Sequence, residues 1–343
     1  MILTVEQECS PLIELDCGNI LAVTFGANGE YVVSGGENGI RVWGVEDGKQ
    51  MATMEARKVR CIAVSKDGGW IATGNSKKVV VWDAKTYEKS FTVLKESGHT
   101  TGVDFSPDST RLVTASFNGR SATVWDIATR KPVVGPLRHE KAVRTAKFSL
   151  QGDRIATATL DSVRVYDSND GRLLLDITVK VTPLYNNGLL WSKAHLFVLS
   201  DDKVKQIDAA TGSAVSEWLV PGGGERKRIA LATYGDFIAH SIRRTVTFWD
   251  ASTHTQLGLI KHPEDILSIA LSSDDQFIAI GGKGGKMTIK RLSRINIVGV
   301  VACCITYDVI YLNTLFQSSF HIETNPFGSS PPHFPGTRHS DQG

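Results

Sequence analysis

Short apolar runs separated by polar turns recur along most of the chain. Residues 59–65, VRCIAVS, form a largely apolar run of the kind buried on both faces. KDGG follows as a turn, and WIATG (70–74) predicts a second strand. KKVVVWD (77–83) predicts a third, rich in β-branched residues. After the turn AKTYEK, a more polar fourth strand, SFTVL, occupies 90–94. Four short strands joined by turns of this composition predict one antiparallel sheet.

The pattern then repeats. Runs equivalent to the first strand occur at LAVTF (21–25), GVDFS (102–106), VRTAKFS (143–149), GLLWS (188–192), RIALA (228–232) and ILSIALS (266–272). Third strands close on Trp-Asp at Trp82-Asp83, Trp125-Asp126 and Trp249-Asp250, with weaker copies at Trp43-Gly44, Tyr166-Asp167, Ile207-Asp208 and Arg291-Leu292. Successive marks lie 39, 43, 41, 41, 42 and 42 residues apart, a steady period that identifies an array of like units. No segment carries a helix period. One four-stranded sheet cannot shield both of its faces from water, so seven sheets arranged radially, each covering its neighbour, are expected.

HTTGVDFSPDSTRLVTASFNGRSATVWD (99–126) resembles a WD40 repeat, and roughly 1–292 resembles a seven-bladed WD40 β-propeller. The overall texture is similar to WD40 repeat-like proteins of filamentous fungi. The resemblance implies an all-β fold of four-stranded antiparallel blades, the last closed by an N-terminal strand. It also implies a hydrogen-bonded chain in each blade: a third-strand Trp, a second-strand Ser/Thr, an Asp in the turn between those strands, and a His ahead of the first strand. The matching residues are His99, Ser116, Trp125 and, in place of Asp, Asn118 in unit three. In unit four they are His139, Thr159, Asp161 and, in place of Trp, Tyr166. A buried indole or imidazole N–H needs an acceptor, so these are expected to be framework rather than catalytic residues.

Residues 8–15, ECSPLIEL, align with HTQLGLIK (254–261) and fit as the closing strand; the rival is IVGVV, within the apolar stretch 295–316. The expected organisation is a propeller over 1–292 and an irregular or disordered tail over 293–343. Asn296, Asp308 and Asn313 interrupt the apolar stretch, which argues against a membrane span.

Composition adds little beyond this frame. The 343 residues carry a net charge of +2, which gives no reason to expect nucleic acid as a partner. The five cysteines show no CxxC spacing, consistent with reduced thiols in the cytoplasm or nucleus. GGKGGKMT (281–288) lacks the first Gly and the final Ser/Thr of a phosphate loop. HEKAV (139–143) lacks the second His of a zincin, and Cys303, Cys304, His321 and His333 lack metal-ligand spacing. No cofactor, metal or catalytic residue is therefore expected. The chain reads as a monomeric, non-catalytic scaffold that binds other proteins. The alternative, a quinoprotein- or lactonase-like propeller enzyme with a site in the central channel, requires converging carboxylates and histidines. The inner strands offer mostly Val, Ile, Ala and Thr.

One pattern points to a binding surface. The segments entering units two, four and six are basic: EARKVR (55–60), RHEKAVR (138–144) and GERKR (224–228). Arg60, Arg144 and Lys227 fall at matching positions, suiting a rim that receives an acidic or phosphorylated segment.

Overall fold

In a computed structural model the chain divides into two units, Met1–Asn296 and Ile297–Gly343. The structure describes residues 2–5, 12–14, 19–93, 99–181, 188–200, 202–220, 227–231 and 237–295, all in the first unit. The apolar stretch beyond Ile295 lies outside them. Among the described residues no helix is long and apolar enough to cross a membrane.

Seven antiparallel sheets follow one another along the chain. Blade one covers 20–54, blade two 61–93, blade three 100–138, blade four 145–178, blade five 189–219, blade six 227–261, and blade seven begins at 266. In each of the first six, four strands, a to d, pair in sequence order. The a strands touch from blade to blade, and that of blade seven, Ile266–Leu271, touches that of blade one, Ile20–Phe25. The ring is closed: the fold is an all-β, seven-bladed β-propeller.

The hydrophobic core is not central but divided among the seams between blades. Cys61, Val79, Phe91, Val103 and Leu112 pack together between blades two and three. Phe237, Phe248, Ile266 and Ile280 do so between blades six and seven, and Ile20, Trp43, Met287 and Ile289 between seven and one. Seven such clusters account for the apolar character of strands a to c: each sheet has an apolar neighbour on both faces.

The last blade closes with the N-terminus. Its c strand, Lys286–Ile295, pairs with Phe277–Gly282 on one side. On the other it pairs with two N-terminal segments: Leu12–Glu14 opposite 286–288, and Ile2–Val5 opposite 292–295. The stretch 8–15 therefore supplies three paired residues, and a second segment, nearer the terminus, supplies four. The long c strand gives the reason. It overhangs its inner partner by several residues, and the overhanging amides and carbonyls need partners of their own. This strand also runs three residues past position 292.

Register explains the aromatic marks. Trp43, Trp82, Trp125, Tyr166, Ile207 and Trp249 sit opposite Val32, Ile71, Leu112, Ile155, Leu196 and Ile238, always the second residue of strand b. In blade seven that position belongs to Lys290, opposite Ile278. Arg291, which the sequence pattern aligned with the tryptophans, takes the next position, and its guanidinium lies 5.1 Å from the Phe277 ring centroid.

The Asp after the mark holds the c–d turn. Oδ1 of Asp83 accepts the amides of Lys85 and Thr86, Asp126 accepts that of Thr129, and Asp208 those of Ala210 and Thr211. Four residues past the Gly or Asp that follows each mark, the chain turns left-handed at Gly48, Tyr87, Arg130, Gly171, Gly212 and His254, with φ of 59–77°. Each of these amides donates to the carbonyl at the end of strand c, for example Arg130 to Asp126 at 2.8 Å. Where the residue is not Gly, its side chain reaches the preceding blade. Tyr87 packs on the seam between blades one and two, Arg130 lies 5.0 Å from the Phe91 ring centroid, and His254 stacks on Trp218 with centroids 4.3 Å apart.

Candidate protein-interaction surface

Strand direction sorts the connections. The a–b and c–d turns lie at one end of the ring. The b–c turns and the d–a connections lie at the other, with His99, Ser116, Asn118, His139, Thr159, Asp161, Arg60, Arg144 and Lys227, whereas Trp125 and Tyr166 lie near the far ends of strands c.

The framework residues fix those connections. The Trp125 indole donates to Thr114 Oγ1 at 3.0 Å, not to Ser116. Thr114 is the diagonal neighbour of Trp125, two residues beyond the directly opposite Leu112 and on the same sheet face. Ser116 is two residues further, out of reach; its hydroxyl instead accepts the Gly119 amide and shapes the b–c turn. The same diagonal recurs as Trp43 to Ser34 (3.0 Å), Trp82 to Thr73 (2.8 Å) and Trp249 to His240 Nδ1 (2.8 Å). Trp43 and Trp82 are buried, whereas Trp125 is half-buried. His99 does not join this chain: it is half-buried, and its backbone carbonyl accepts the Phe117 amide. Asn118 is exposed in the turn.

Blade four keeps more of the expected network, again offset by two residues. His139, 8% exposed, brings Nε2 within 3.1 Å of Thr157 Oγ1 and 3.3 Å of the Tyr166 hydroxyl. Thr159 lies outside this trio; its hydroxyl bonds Asp161 at 2.8 Å and braces the b–c turn. Burial, reinforced by the nearby Arg164 charge, pushes the His139 pKa down to about 4, so the ring is neutral at physiological pH. Lys141 and the Thr159 hydroxyl hold the Asp161 carboxyl below the usual carboxylate range. Sequence reasoning missed Ser34, Thr73, Thr114, Thr157 and His240. The usable signal was a spacing of nine residues to the aromatic, lengthened to 11 in blade three by its longer b–c turn.

Arg60 and Arg144 occupy equivalent points. Each amide donates to the last b-strand carbonyl of its own blade, Arg60 to Gly74 (2.9 Å) and Arg144 to Ala158 (2.7 Å). Lys227 pairs with Ile242 and takes the matching backbone position in blade six. Arg60 and Arg144 are half-buried, and the Arg144 guanidinium lies 4.6 Å from the Phe117 ring centroid, so these are anchored cations rather than free tips.

Described residues line two clefts. One of about 230 Å³ on blade four is lined by His139, Lys141, Asp161, Arg164 and Asp176, with both cations ion-paired. The other, of about 470 Å³ between blades five and six, is lined by His195, Phe197, Gln206, Ser216 and His254. In the second, the Ser216 hydroxyl lies 3.2 Å from His254 Nε2 but donates its proton to Gln206 Oε1 at 2.8 Å rather than to the imidazole. Among the described residues no group of three or more His, Cys, Asp or Glu side chains is placed to hold a metal ion.

Known proteins agree with this architecture. The family model for the WD domain, G-beta repeat, matches residues 9–44, 48–83 and 89–126. The chain is 25% identical over 170 residues to WD repeat-containing protein 18 of Danio rerio, covering 45% of this chain and 39% of that protein. It is 26% identical over 210 residues to the serine-threonine kinase receptor-associated protein of Gallus gallus (57% and 55%). It is 25% identical over 211 residues to a U3 small nucleolar RNA-associated protein 15 homolog of Xenopus laevis (57% and 38%). The chain thus spans less than two thirds of the length of these relatives. Among solved structures, a chain of Kuenenia stuttgartiensis hydrazine synthase superposes with a TM-score of 0.72 at 14% identity, covering 85% of this chain and all of that one, a likeness of fold alone. Three matched repeats, seven blades in a closed ring and the recurring indole-to-hydroxyl bond lead to one conclusion: residues 9–126 carry WD40 repeats, and the described chain is a seven-bladed propeller of the same build.

Proposed function

We propose that this protein is a non-catalytic interaction scaffold, and that it receives an acidic or phosphorylated segment of a partner protein on the end carrying the b–c and d–a connections. The supporting observation is the recurrence of a cation at one backbone position in alternate blades, Arg60, Arg144 and Lys227, on connections held by a rigid framework. Guanidinium groups already oriented by packing lose little freedom when they bind a carboxylate or phosphate. The propeller over 1–292 is the binding unit in this reading, with the tail over 293–343 outside it. The relatives named for nucleolar RNA association favour a nuclear setting within a larger assembly, in which this chain supplies protein contacts.

The test is association of purified protein with a labelled oligo-glutamate peptide at low and high salt. Binding that fades with salt supports the reading, because exposed charges are screened within about 10 Å at 0.1 M. The triple variant Arg60→Gln, Arg144→Gln, Lys227→Gln should bind several-fold more weakly, mainly through a slower association rate. Absence of binding by the parent at low salt would exclude the acidic ligand.

A further inference from the structure

Blade two carries a second concentration of charge at the same end. The d–a connection entering the blade contributes Arg57 and Lys58, and the b–c turn contributes Lys77 and Lys78; all four are exposed. Twenty residues apart in sequence, the two dibasic pairs are joined by one side chain, Asn75. Its Oδ1 accepts the amides of Lys77 (2.8 Å) and Lys78 (3.0 Å), and its Nδ2 donates to the Arg57 carbonyl at 3.3 Å. The opposite side of the connection is tied as well: the Lys58 amide donates to the Glu37 carbonyl at 3.1 Å, with Lys58 held left-handed at φ 55°.

Among the described residues none of these four cations has an ion-pair partner. Two acids lie nearby, Glu37, whose carboxylate accepts a hydrogen bond from the neutral Asn19 amide, and Glu55 within the connection itself, so the four cations outnumber them. Elsewhere at this end cations are more often neutralised, Lys141 by Asp161 and Arg244 by Asp265. At the other end of the ring, strands c finish on Asp83, Asp126, Asp167, Asp208 and Asp250. The charge is therefore polarised along the ring axis, and blade two is where the positive side is least compensated.

We infer that Arg57, Lys58, Lys77 and Lys78 form the principal docking point for an acidic segment of a partner protein. This rests on the function proposed above, and it assigns the chief contacts to residues other than Arg60, Arg144 and Lys227. Four flexible, solvated cations without an enclosing pocket suit a run of negative charges rather than one buried anion. A protein segment fits better than single-stranded RNA, which binds by stacking its bases on exposed aromatic rings. The described connections at this end hold one phenyl ring, Phe117, which Arg144 covers, and the imidazoles of His99, His139 and His262, of which the last two are buried and the first half-buried.

The experiment compares the parent, the variant Arg57→Glu, Lys58→Glu, Lys77→Glu, Lys78→Glu, and the triple Gln variant at 60, 144 and 227. The probes are labelled oligo-glutamate and labelled oligouridine of similar length. The expected result is a loss of about tenfold or more in oligo-glutamate affinity for the blade-two variant, with a smaller loss for the triple variant. A neutral version with Gln at the four positions, checked by thermal melting, substitutes should the charge reversal unfold the protein. If only the triple variant loses binding, or if the two lose it equally, the blade-two assignment is overturned while the acidic-ligand function stands. If the parent binds no oligo-glutamate, both are overturned. Preference of the parent for oligouridine, lost in the blade-two variant, would overturn the protein partner in favour of RNA.

Discussion

Thr114 and Trp125 show how a single diagonal contact organises a blade. Thr114→Val keeps the shape but leaves a largely sequestered indole N–H without its acceptor. It should destabilise the protein by about 1–3 kcal/mol in denaturant melts. Ser116→Ala should cost less, since only the turn amide of Gly119 loses a partner. His139 gives a pH signature. Its folded pKa, about 4, lies below the ordinary value of 6.5, so acidification protonates the unfolded chain first. The contribution is intact above pH 6.5 and is lost as pH falls toward 4, up to about 3 kcal/mol in all. Melting temperature measured across that range should fall less steeply for His139→Gln than for the parent; parallel profiles would show that the imidazole does not titrate this way. The tryptophans and the fourth-blade tyrosine were legible from spacing, and the fourth-blade histidine from the family resemblance. Their hydroxyl partners were not, because the sequence does not reveal which strand-b residue lies diagonally across; that depends on register, and register depends on the b–c turn length.

At the level of strands and turns, the position four residues past the end of strand c carries two demands. The backbone must be left-handed, and any side chain there must meet the preceding blade. Gly171 meets the first and avoids the second: an added Cβ would lie 2.8 Å from Val134 Cγ1. Gly171→Ala should therefore cost roughly 1–3 kcal/mol, combining αL strain with the clash. His254→Gly should also destabilise, although glycine suits the backbone, because the stack on Trp218 disappears. A His254→Gly melt at or above the parent's would remove the stapling role. Four strands per blade were readable from the alternation of apolar runs and turns. The left-handed turns filled by Tyr, Arg and His were not, since nothing local marks a bulky residue as left-handed when the compensating ring lies in the neighbouring unit.

Across the whole ring, seven seams replace a central core, so each blade is stabilised by its two neighbours and the last depends on the first. Deleting residues 1–16 removes both segments paired with Lys286–Ile295 and leaves a ten-residue strand with one side unpaired. The truncated protein should melt earlier and scatter light at concentrations where the parent stays clear. An unchanged melt would show that the N-terminal pairing contributes nothing to closure. The seven-fold repeat, and with it the architecture, was visible in the period of the aromatic marks. The split of the closing strand into two pieces was not, because it follows from the length of a partner almost the whole chain away. The blade-two cations were likewise hidden: 57–58 was read as part of a rim, while 77–78 looked like the start of a strand until Asn75 tied the two together.

The closing strand also imposes an order of events during synthesis. Residues 2–5 and 12–14 leave the ribosome long before their partners at 286–295. Six blades can pair their own strands as they appear, each within a short span of chain, while the seventh must wait. Until residues 286–295 emerge, the nascent propeller is therefore an open crescent with a bare seam at each end. Its vulnerable interval is set by the ribosome's pace rather than by the folding rate of any blade.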